Sequence, residues 1–261
     1  MTSESIEIYL NSKYANKYVD NTTANCIFHL PNIEVSKDEK AYINVKSAVI
    51  PFSWYNVNST NNKLNILVDN ANTYNIQIPF GNYNINQLIA YIHSQIATFS
   101  VNDKNLILNY SPQTNKITFT NTLKTFQLLN TSTCFELLGF EENKTYTSVN
   151  TSGTIFQLIS EICINLFVVR QIYVASDNFI LNNINANNPS DSNILASISV
   201  TGNPNSIIHY SNTASKHLIH HLNNISNLRI QLVDQDGDLL ELNNVHWSIT
   251  IELIISTFEK S

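Results

Sequence analysis

The sequence predicts an all-β protein, a sandwich or barrel of strands, that carries a small α+β insertion. Most apolar segments are short, rich in β-branched residues and bounded by Asn, Ser, Asp or Pro, which is typical of strands. Turn signals recur about every 8–12 residues, the spacing found in sandwiches and barrels. The chain has 261 residues, 43% of them hydrophobic, which is enough to bury a substantial core.

The strands are predicted from the alternation of apolar and polar residues. Alternation opens the chain at residues 6–8 and runs again over residues 41–50, where Pro51 ends the strand because proline has no N–H to donate to a sheet. Further segments of the same character are 64–68, 74–78, 106–110, 116–120, 155–159, 166–174, 194–200, 207–210, 228–233 and 246–255.

One segment departs from this pattern and predicts an α-helix. Residues 84–96 place isoleucine and leucine at intervals of three and four, which makes one apolar face of a helix, and Asn84 is suited to cap its first turn. A second helical turn is expected over residues 132–138, ending at Gly139, which can adopt the left-handed cap conformation.

The order of these elements predicts three parts along the chain. Residues 1–55 and 151–261 form the first and second parts of one β-domain, and residues 56–150 form an α+β domain inserted between them. The segment 181–193 consists almost entirely of Asn, Ser, Asp and Pro and is interpreted as a long surface loop.

Charge and hydropathy argue against several classes of function. The net charge is −6 and no run of basic residues occurs, so binding to nucleic acid or to an anionic membrane is not expected. The N-terminus has neither a basic start nor an apolar stretch, and the longest apolar region, 162–175, falls short of the roughly 20 residues that a membrane helix needs. We therefore expect a soluble protein that is kept inside a cell, without membrane insertion.

The three cysteines predict no disulfide and no metal site. Cys26, Cys134 and Cys163 are far apart, odd in number and without a C-x-x-C pair. We expect buried, unreactive thiols in a reducing compartment, with Cys163 inside an apolar strand.

The sharpest local signal near the C-terminus is Asp236-Gly237, flanked by alternating apolar residues. This pair predicts a tight type I′ β-hairpin. A calcium loop is the alternative, because Asp234, Asp236 and Asp238 follow at intervals of two. That motif also needs flanking helices, a glycine at its sixth position and a glutamate at its twelfth, where Val245 stands, so the hairpin is favoured.

Other patterns that carry chemistry are incomplete. His217 and His221 have the spacing of a zinc pair on a helix, but Leu218 occupies the position of the glutamate base, and the neighbouring sequence resembles strand or loop. Nucleophile-elbow, phosphate-loop and dinucleotide motifs are absent, so no catalytic, cofactor-binding or metal-binding residue is predicted and the protein is not expected to be an enzyme.

The aromatic residues Trp54, Tyr55 and Trp247 have two interpretations. They resemble the platforms on which sugars stack, but packing in a core or an interface is the more common use and is favoured here.

The ordered motifs of the chain carry a family resemblance. A strand ends at Ile50-Pro51 and is followed by Trp54-Tyr55-Asn56, then by residues 74–85 with their Pro-x-Gly-x-Tyr turn, then by Leu137-Leu138-Gly139-Phe140. Residues 172–177, 193–200 and the Asp-Gly hairpin, which leads to Trp247, complete the order. Over residues 40–255 the chain resembles the jelly-roll penton and minor capsid proteins of virophages, Polinton-like viruses and related large DNA viruses.

This resemblance implies a single jelly roll of eight strands in two facing sheets, with the α+β segment as an insertion. It marks Asp236, Gly237 and Trp247 as the structural hairpin and strand motif, and Pro79, Gly81 and Tyr83 as the insertion turn. It implies a penton at the five-fold vertices of a virion, assembled as a homopentamer beside the major capsid protein and made in the host cytoplasm. The insertion then faces outward, where it can meet a host receptor.

Two alternatives remain open from the sequence. A minor capsid or cement protein that lies between capsomers shares the same features. A carbohydrate-binding jelly roll that uses Trp54, Tyr55 or Trp247 belongs to another functional class.

Overall fold

The protein is an all-β chain with two helices, as the sequence predicts. A computed structural model describes residues 3–181, 193–212, 216–220, 222 and 224–257. Its helices are α1 (Ile85–Ile96) and α2 (Phe135–Leu138). Its strands are β1 (Ser3–Asn11), β2 (Lys17–Tyr18), β3 (Asn25–Glu34), β4 (Glu39–Pro51), β5 (Lys63–Val68), β6 (Asn72–Gln77), β7 (Leu106–Ser111), β8 (Lys116–Asn121), β9 (Phe126–Leu128), β10 (Tyr146–Thr147), β11 (Val149–Ser152), β12 (Ile155–Ile159), β13 (Gln171–Ala175), β14 (Ile180–Leu181), β15 (Ile194–Ser199), β16 (Ile207–Ser211), β17 (His217–His220), β18 (Asn224–Val233) and β19 (Ser248–Thr257).

The chain folds as two compact units. Residues 1–54 and 169–261 form the first, here called the sandwich unit, and residues 55–168 form the second, here called the insertion unit. The first boundary lies one residue from the predicted one. The second lies beyond residue 150, because β12 pairs with β8 of the insertion unit and therefore belongs to it.

The sandwich unit consists of two antiparallel sheets around one core. The first sheet has the order β1-β19-β4-β17-β14, with β16 also paired to β4, and the second has the order β15-β13-β18-β3-β2. Inward-facing residues of both sheets, among them Ile43, Ile251 and Ile230, form a single cluster of buried side chains. Alternation along β4 and β19 places these side chains inside because successive strand residues point to opposite faces.

The insertion unit has its own core between two four-stranded sheets and α1. The sheets have the orders β10-β9-β5-β6 and β11-β12-β8-β7. Leu88, Ile92 and Ile96 of α1 are buried, which confirms the predicted apolar face of the helix. A domain with a separate core is expected to fold as a separate cooperative unit.

Both predicted ends of α1 and the predicted stop of α2 at Gly139 are confirmed, whereas α2 begins at Phe135 and not at residue 132. The Asn84 side chain accepts the N–H of Gln87 at 2.9 Å, and the Gln87 side chain accepts the N–H of Asn84 at 3.0 Å, which is a complete capping box. Gly139 ends α2 with φ +81°, and a Cβ there would lie 2.4 Å from the carbonyl oxygen of Ile162. Glycine is therefore required at this position by both conformation and space.

Several strands differ from the prediction. β3 was not predicted; it carries Pro31 and adjacent polar residues that interrupt its alternation. The strand expected over residues 166–174 begins only at Gln171, because Leu166 and Val168 pack on the core of the insertion unit whereas Val169 packs on that of the sandwich unit. The loop expected at 181–193 lies, except for its end residues, outside the described residues.

Candidate functional site

Trp247 is the anchor of one end of the sandwich unit. Its side chain is 1% exposed and packs edge-on against Phe28. The indole N–H donates to the carbonyl oxygen of Thr23 at 2.6 Å. Ser12 binds the Trp247 backbone in both directions, since its hydroxyl accepts the Trp247 N–H and its own N–H donates to the Trp247 carbonyl, each at 3.0 Å. Three chain segments are thus joined at this tryptophan.

The chain turns back at Asp236-Gly237, but the turn is longer than predicted and its second arm is one bridged residue, Leu239, instead of a strand. A two-residue type I′ turn needs positive φ at both central residues, but only Gly237 of the pair has one, at +92°. Asp234 instead organises the turn, because its carboxylate accepts the N–H groups of Asp236 at 2.9 Å and Asp238 at 3.0 Å. The turn is closed by the pairing of Val233 with Leu239.

The calcium alternative finds no support in this turn. Burial raises the pKa of Asp234, although the two backbone N–H groups oppose that shift. Its carboxylate oxygen is directed to the backbone of its own turn. Among the described residues, no group of three His, Cys, Asp or Glu side chains is placed to hold a metal ion.

The predicted insertion turn is held by Asn56. The Asn56 side chain accepts the N–H of Tyr83 at 2.9 Å and donates to the Tyr83 carbonyl at 2.8 Å. Gly81 forms a β-bridge with Val57 through two hydrogen bonds of 3.0 Å. The Tyr83 hydroxyl donates to the carbonyl of Pro79 at 3.0 Å, so the three predicted residues form one compact turn.

The structure shows where the residues of the histidine and cysteine motifs lie. His217 and His220 lie on strand β17, so the helical face that a zinc pair needs does not form, and His221 lies outside the described residues. Cys26 and Cys134 are buried as predicted, and burial raises the pKa of each thiol to about 12. The prediction for Cys163 was wrong: it is exposed, since the chain around it forms no strand.

The tryptophans are core residues, as the favoured interpretation expects. Trp54 is 4% exposed and stacks on Phe52 with ring centroids 4.2 Å apart, and Trp247 is buried as described. A sugar cannot reach either ring face, so the carbohydrate alternative loses two of its three platforms. Tyr55 remains 37% exposed.

A surface that the sequence analysis missed lies at the N-terminal edge of the sandwich unit. Tyr9 and Tyr14 are each 74% exposed and Tyr18 is 37% exposed. A shallow groove of about 300 Å³ adjoins Tyr9 on the outer face of the first sheet. It is lined by Tyr9, Leu10, Asn11, Ser47, Val49, Ser248, Ile249 and Thr250. The recurrence of tyrosine and lysine between residues 9 and 18 was the sequence signal for it.

The insertion unit contains a buried carboxylate that sequence reasoning also missed. Asp103 is fully buried and accepts hydrogen bonds from Lys124 at 2.8 Å, Asn72 and Tyr74 at 2.7 Å, and Ser100 at 2.8 Å. Burial disfavours its ionised form, but these donors outweigh that effect and hold the pKa of Asp103 well below its usual range.

His93 gives the insertion unit a predicted pH dependence. Its Nε2 accepts the N–H of Leu108 at 2.7 Å, which joins α1 to β7, the outermost strand of its sheet. Burial lowers the pKa of His93 from its ordinary value of 6.5. The unfolded chain therefore binds the proton more readily, so this stabilisation is present above about pH 6.5 and is lost as the pH falls further.

The test compares His93→Gln with the native chain. The glutamine oxygen can accept the same N–H and does not titrate, so we expect a smaller loss of insertion-unit stability between about pH 7.5 and pH 5. The exposed His209→Gln, in the sandwich unit, is the control. Urea unfolding measures the free energy of unfolding at each pH. An equal change of this free energy with pH in the native chain and in His93→Gln would contradict the prediction.

Comparisons with known proteins place this fold. No family model matches the chain. The crystal structure of the mavirus penton protein aligns with 98% of this chain and 100% of its own, with a TM-score of 0.50 and 11% identity. The jelly-roll fold is confirmed. The structure of the Sputnik virophage contains a chain that aligns over 98% of each, with a TM-score of 0.41 and 12% identity.

The sequence comparison gives one viral relative. The uncharacterized protein L356 of Acanthamoeba polyphaga mimivirus is 34% identical over 110 residues, which is 40% of this chain. The aligned part is only 18% of the length of that protein. In the part of the chain that the structure describes, no helix is long and apolar enough to cross a membrane.

Proposed function

We propose that this protein is a virion structural protein, a penton that closes the five-fold vertices of an icosahedral capsid as a homopentamer. The observation that carries the proposal is the fold likeness to the mavirus penton protein, which extends over 98% of this chain and the whole of that protein's chain. The partial identity to a mimivirus protein supports a viral origin. The site of action is the virion, after synthesis in the host cytoplasm.

The proposed work of the protein is assembly and involves no reaction. Side-to-side contacts between sandwich units close the ring, and its outer rim meets the major capsid protein. A charged fraction of only 13% suits this role, because charged residues are depleted from the cores of protein interfaces. The insertion unit, with its separate core, is the part offered to a host receptor.

The solution mass of the purified protein tests this proposal. Closed cyclic symmetry fixes the number of subunits, so light scattering after size exclusion is expected to give a species of about 148 kDa, five times the chain mass of 29.5 kDa. A stable trimer would replace the penton by a minor capsid role. A monomer at every concentration, up to and including capsid-like crowding, would contradict a self-assembling penton.

A further inference from the structure

We propose that residues 9–18, here called the tyrosine edge, bind the acidic hairpin, residues 234–241, of a second copy of this chain. The inference rests on the proposed function and names the contact by which the ring would close. The partner is another subunit of the same protein, because the two surfaces are complementary in charge and both lie on the sandwich unit.

The tyrosine edge follows the outer border of both sheets. β1 is outermost in the first sheet and pairs only with β19, and β2 is outermost in the second and pairs only with β3, as far as the structure describes the chain. An outermost strand leaves backbone N–H and C=O groups without strand partners, which makes such an edge a natural place for another chain. One short segment thus presents the same lateral side of the whole sandwich.

This segment is already fixed in place before any partner arrives. Ser12 is buried and bound to the backbone of Trp247. The Tyr18 hydroxyl donates to the Ser12 carbonyl at 2.8 Å, and the Asn11 side chain accepts the N–H of Lys13 at 2.9 Å. A preorganised segment loses little conformational entropy on binding, so more of its contact energy becomes affinity.

The exposed side chains of the edge are those that interfaces favour. Tyr9 and Tyr14 present most of their surface to solvent, and the Lys13 ammonium lies 5.7 Å from the centre of the Tyr14 ring. Tyrosine is enriched in interface hot spots because it brings a large rigid ring with a polar end.

Charge identifies the surface that fits this edge. Residues 12–18 contain Lys13 and Lys17 and no acidic residue, in a chain whose net charge is −6. The acidic hairpin exposes Asp236, Asp238 and Glu241 and contains no basic residue. Within the described ranges none of these five side chains takes part in an ion pair. Complementary patches of this kind steer association and fix its register.

The same charges disfavour a two-fold dimer in which the tyrosine edge meets itself. Such a contact places Lys13 and Lys17 against their own copies, and like charges across an interface are unfavourable. In a head-to-tail contact each subunit gives its edge to one neighbour and its hairpin to another, so copies add until the ring closes.

Reciprocal charge reversal tests the contact in the full-length protein. Lys13→Glu with Lys17→Glu, and separately Asp236→Lys with Asp238→Lys, are each expected to weaken self-association at least about tenfold at low salt, because each places like charges together. The quadruple variant restores the complementarity with the signs exchanged and is expected to recover most of the assembly. Concentration-dependent light scattering measures all four proteins.

The control for the lysine double variant is Lys37→Glu with Lys104→Glu. It makes the same change in net charge as Lys13→Glu with Lys17→Glu, but at exposed positions outside the tyrosine edge. Circular dichroism melting checks that each variant is folded. Tyr14→Ser, which changes no charge, is a further variant that is expected to weaken assembly.

The outcomes separate this contact from the proposed function. A native pentamer whose assembly is unchanged in both double variants would overturn the contact and leave the penton proposal standing. Double variants that weaken assembly without rescue in the quadruple variant would remove the hairpin as the partner surface. A native monomer throughout would overturn both proposals.

Discussion

Replacement of Trp247 by alanine is expected to lower the free energy of unfolding of the sandwich unit by about 3–5 kcal/mol. The substitution removes a fully buried indole and its contact with Phe28, and it leaves the Thr23 carbonyl with only the weak thiol donor of Cys26. The cavity lies where β19 meets the segment around Ser12, so the attachment of β1 and of the tyrosine edge is expected to loosen as well.

The matched control is Trp247→Phe, which keeps one aromatic ring and removes the indole N–H donor with part of the ring volume. It is expected to cost less than the alanine variant. Because both variants lack the hydrogen bond to Thr23, the difference between them measures the packing of the retained ring. Denaturant unfolding with thiol labelling measures both variants. Cys26 is buried in the sandwich unit and Cys134 in the insertion unit, so each reports the opening of its own core, while the exposed Cys163 reports labelling efficiency.

We expect Trp247→Ala to speed the labelling of Cys26 and to leave that of Cys134 close to its native rate. Equal acceleration at both cysteines would show that the two units unfold together. An unchanged rate at Cys26 would contradict the anchoring role of Trp247.

The parts of the fold that follow from short-range rules were predictable. The Asn84 cap and the Gly139 stop depend on residues within four positions of each other, and both form as expected. The alternation over residues 41–50 also sufficed for β4, although an irregularity in its pairing with β19 shifts the buried positions from Ala41, Ile43 and Val45 to Ala48 and Ile50.

Features that depend on contacts between distant parts of the chain could not be predicted from the sequence. β3 has a weak pattern of its own and is held by β18, nearly two hundred residues later in the chain. The apolar run around Val168 and Val169 looks continuous in sequence, yet its residues serve two different cores. Periodicity describes one face of one element, so it cannot show where a chain passes from one core to another.

The candidate surface escaped prediction for a related reason. Tyr9 points to the outer face of β1 and Tyr14 lies in the turn between β1 and β2. Both strands stand at the borders of their sheets, and strand order is a property of the whole fold. Trp247 was recognised as part of a motif, but its binding to Ser12 joins residues at opposite ends of the chain.

Asp103 is the second position at which a single change is expected to have a large effect. Asp103→Ala is expected to lower the free energy of unfolding of the insertion unit by about 2–4 kcal/mol, because it removes the common acceptor of several donors in a buried site. Lys124, whose side chain is 26% exposed, and the exposed Asn72 can regain water, whereas the partly buried Tyr74 hydroxyl loses its acceptor.

Asp69→Asn provides the matched control for the charge near Lys124, because asparagine tolerates the positive φ of 54° at this position whereas alanine is strained there. Asp69 lies 3.6 Å from the same ammonium but is 55% exposed, so the loss of its charge is expected to change stability by no more than about 0.5 kcal/mol. Faster labelling of Cys134 in Asp103→Ala, but not in Asp69→Asn, is the expected result. Similar effects of the two variants would mean that the ammonium needs only a nearby negative charge and that the buried network adds nothing.

The native chain and Asp103→Ala are also expected to differ in how their free energy of unfolding depends on pH, which gives an independent check. The folded pKa of Asp103 is lowered, so its stabilisation is fully present above the unfolded value near 3.8 and is lost as the pH falls below it. The two proteins are therefore expected to differ most near neutral pH and to converge in acid. A difference that stays constant down to about pH 2 would mean that the site acts through packing and not through the ionised carboxylate.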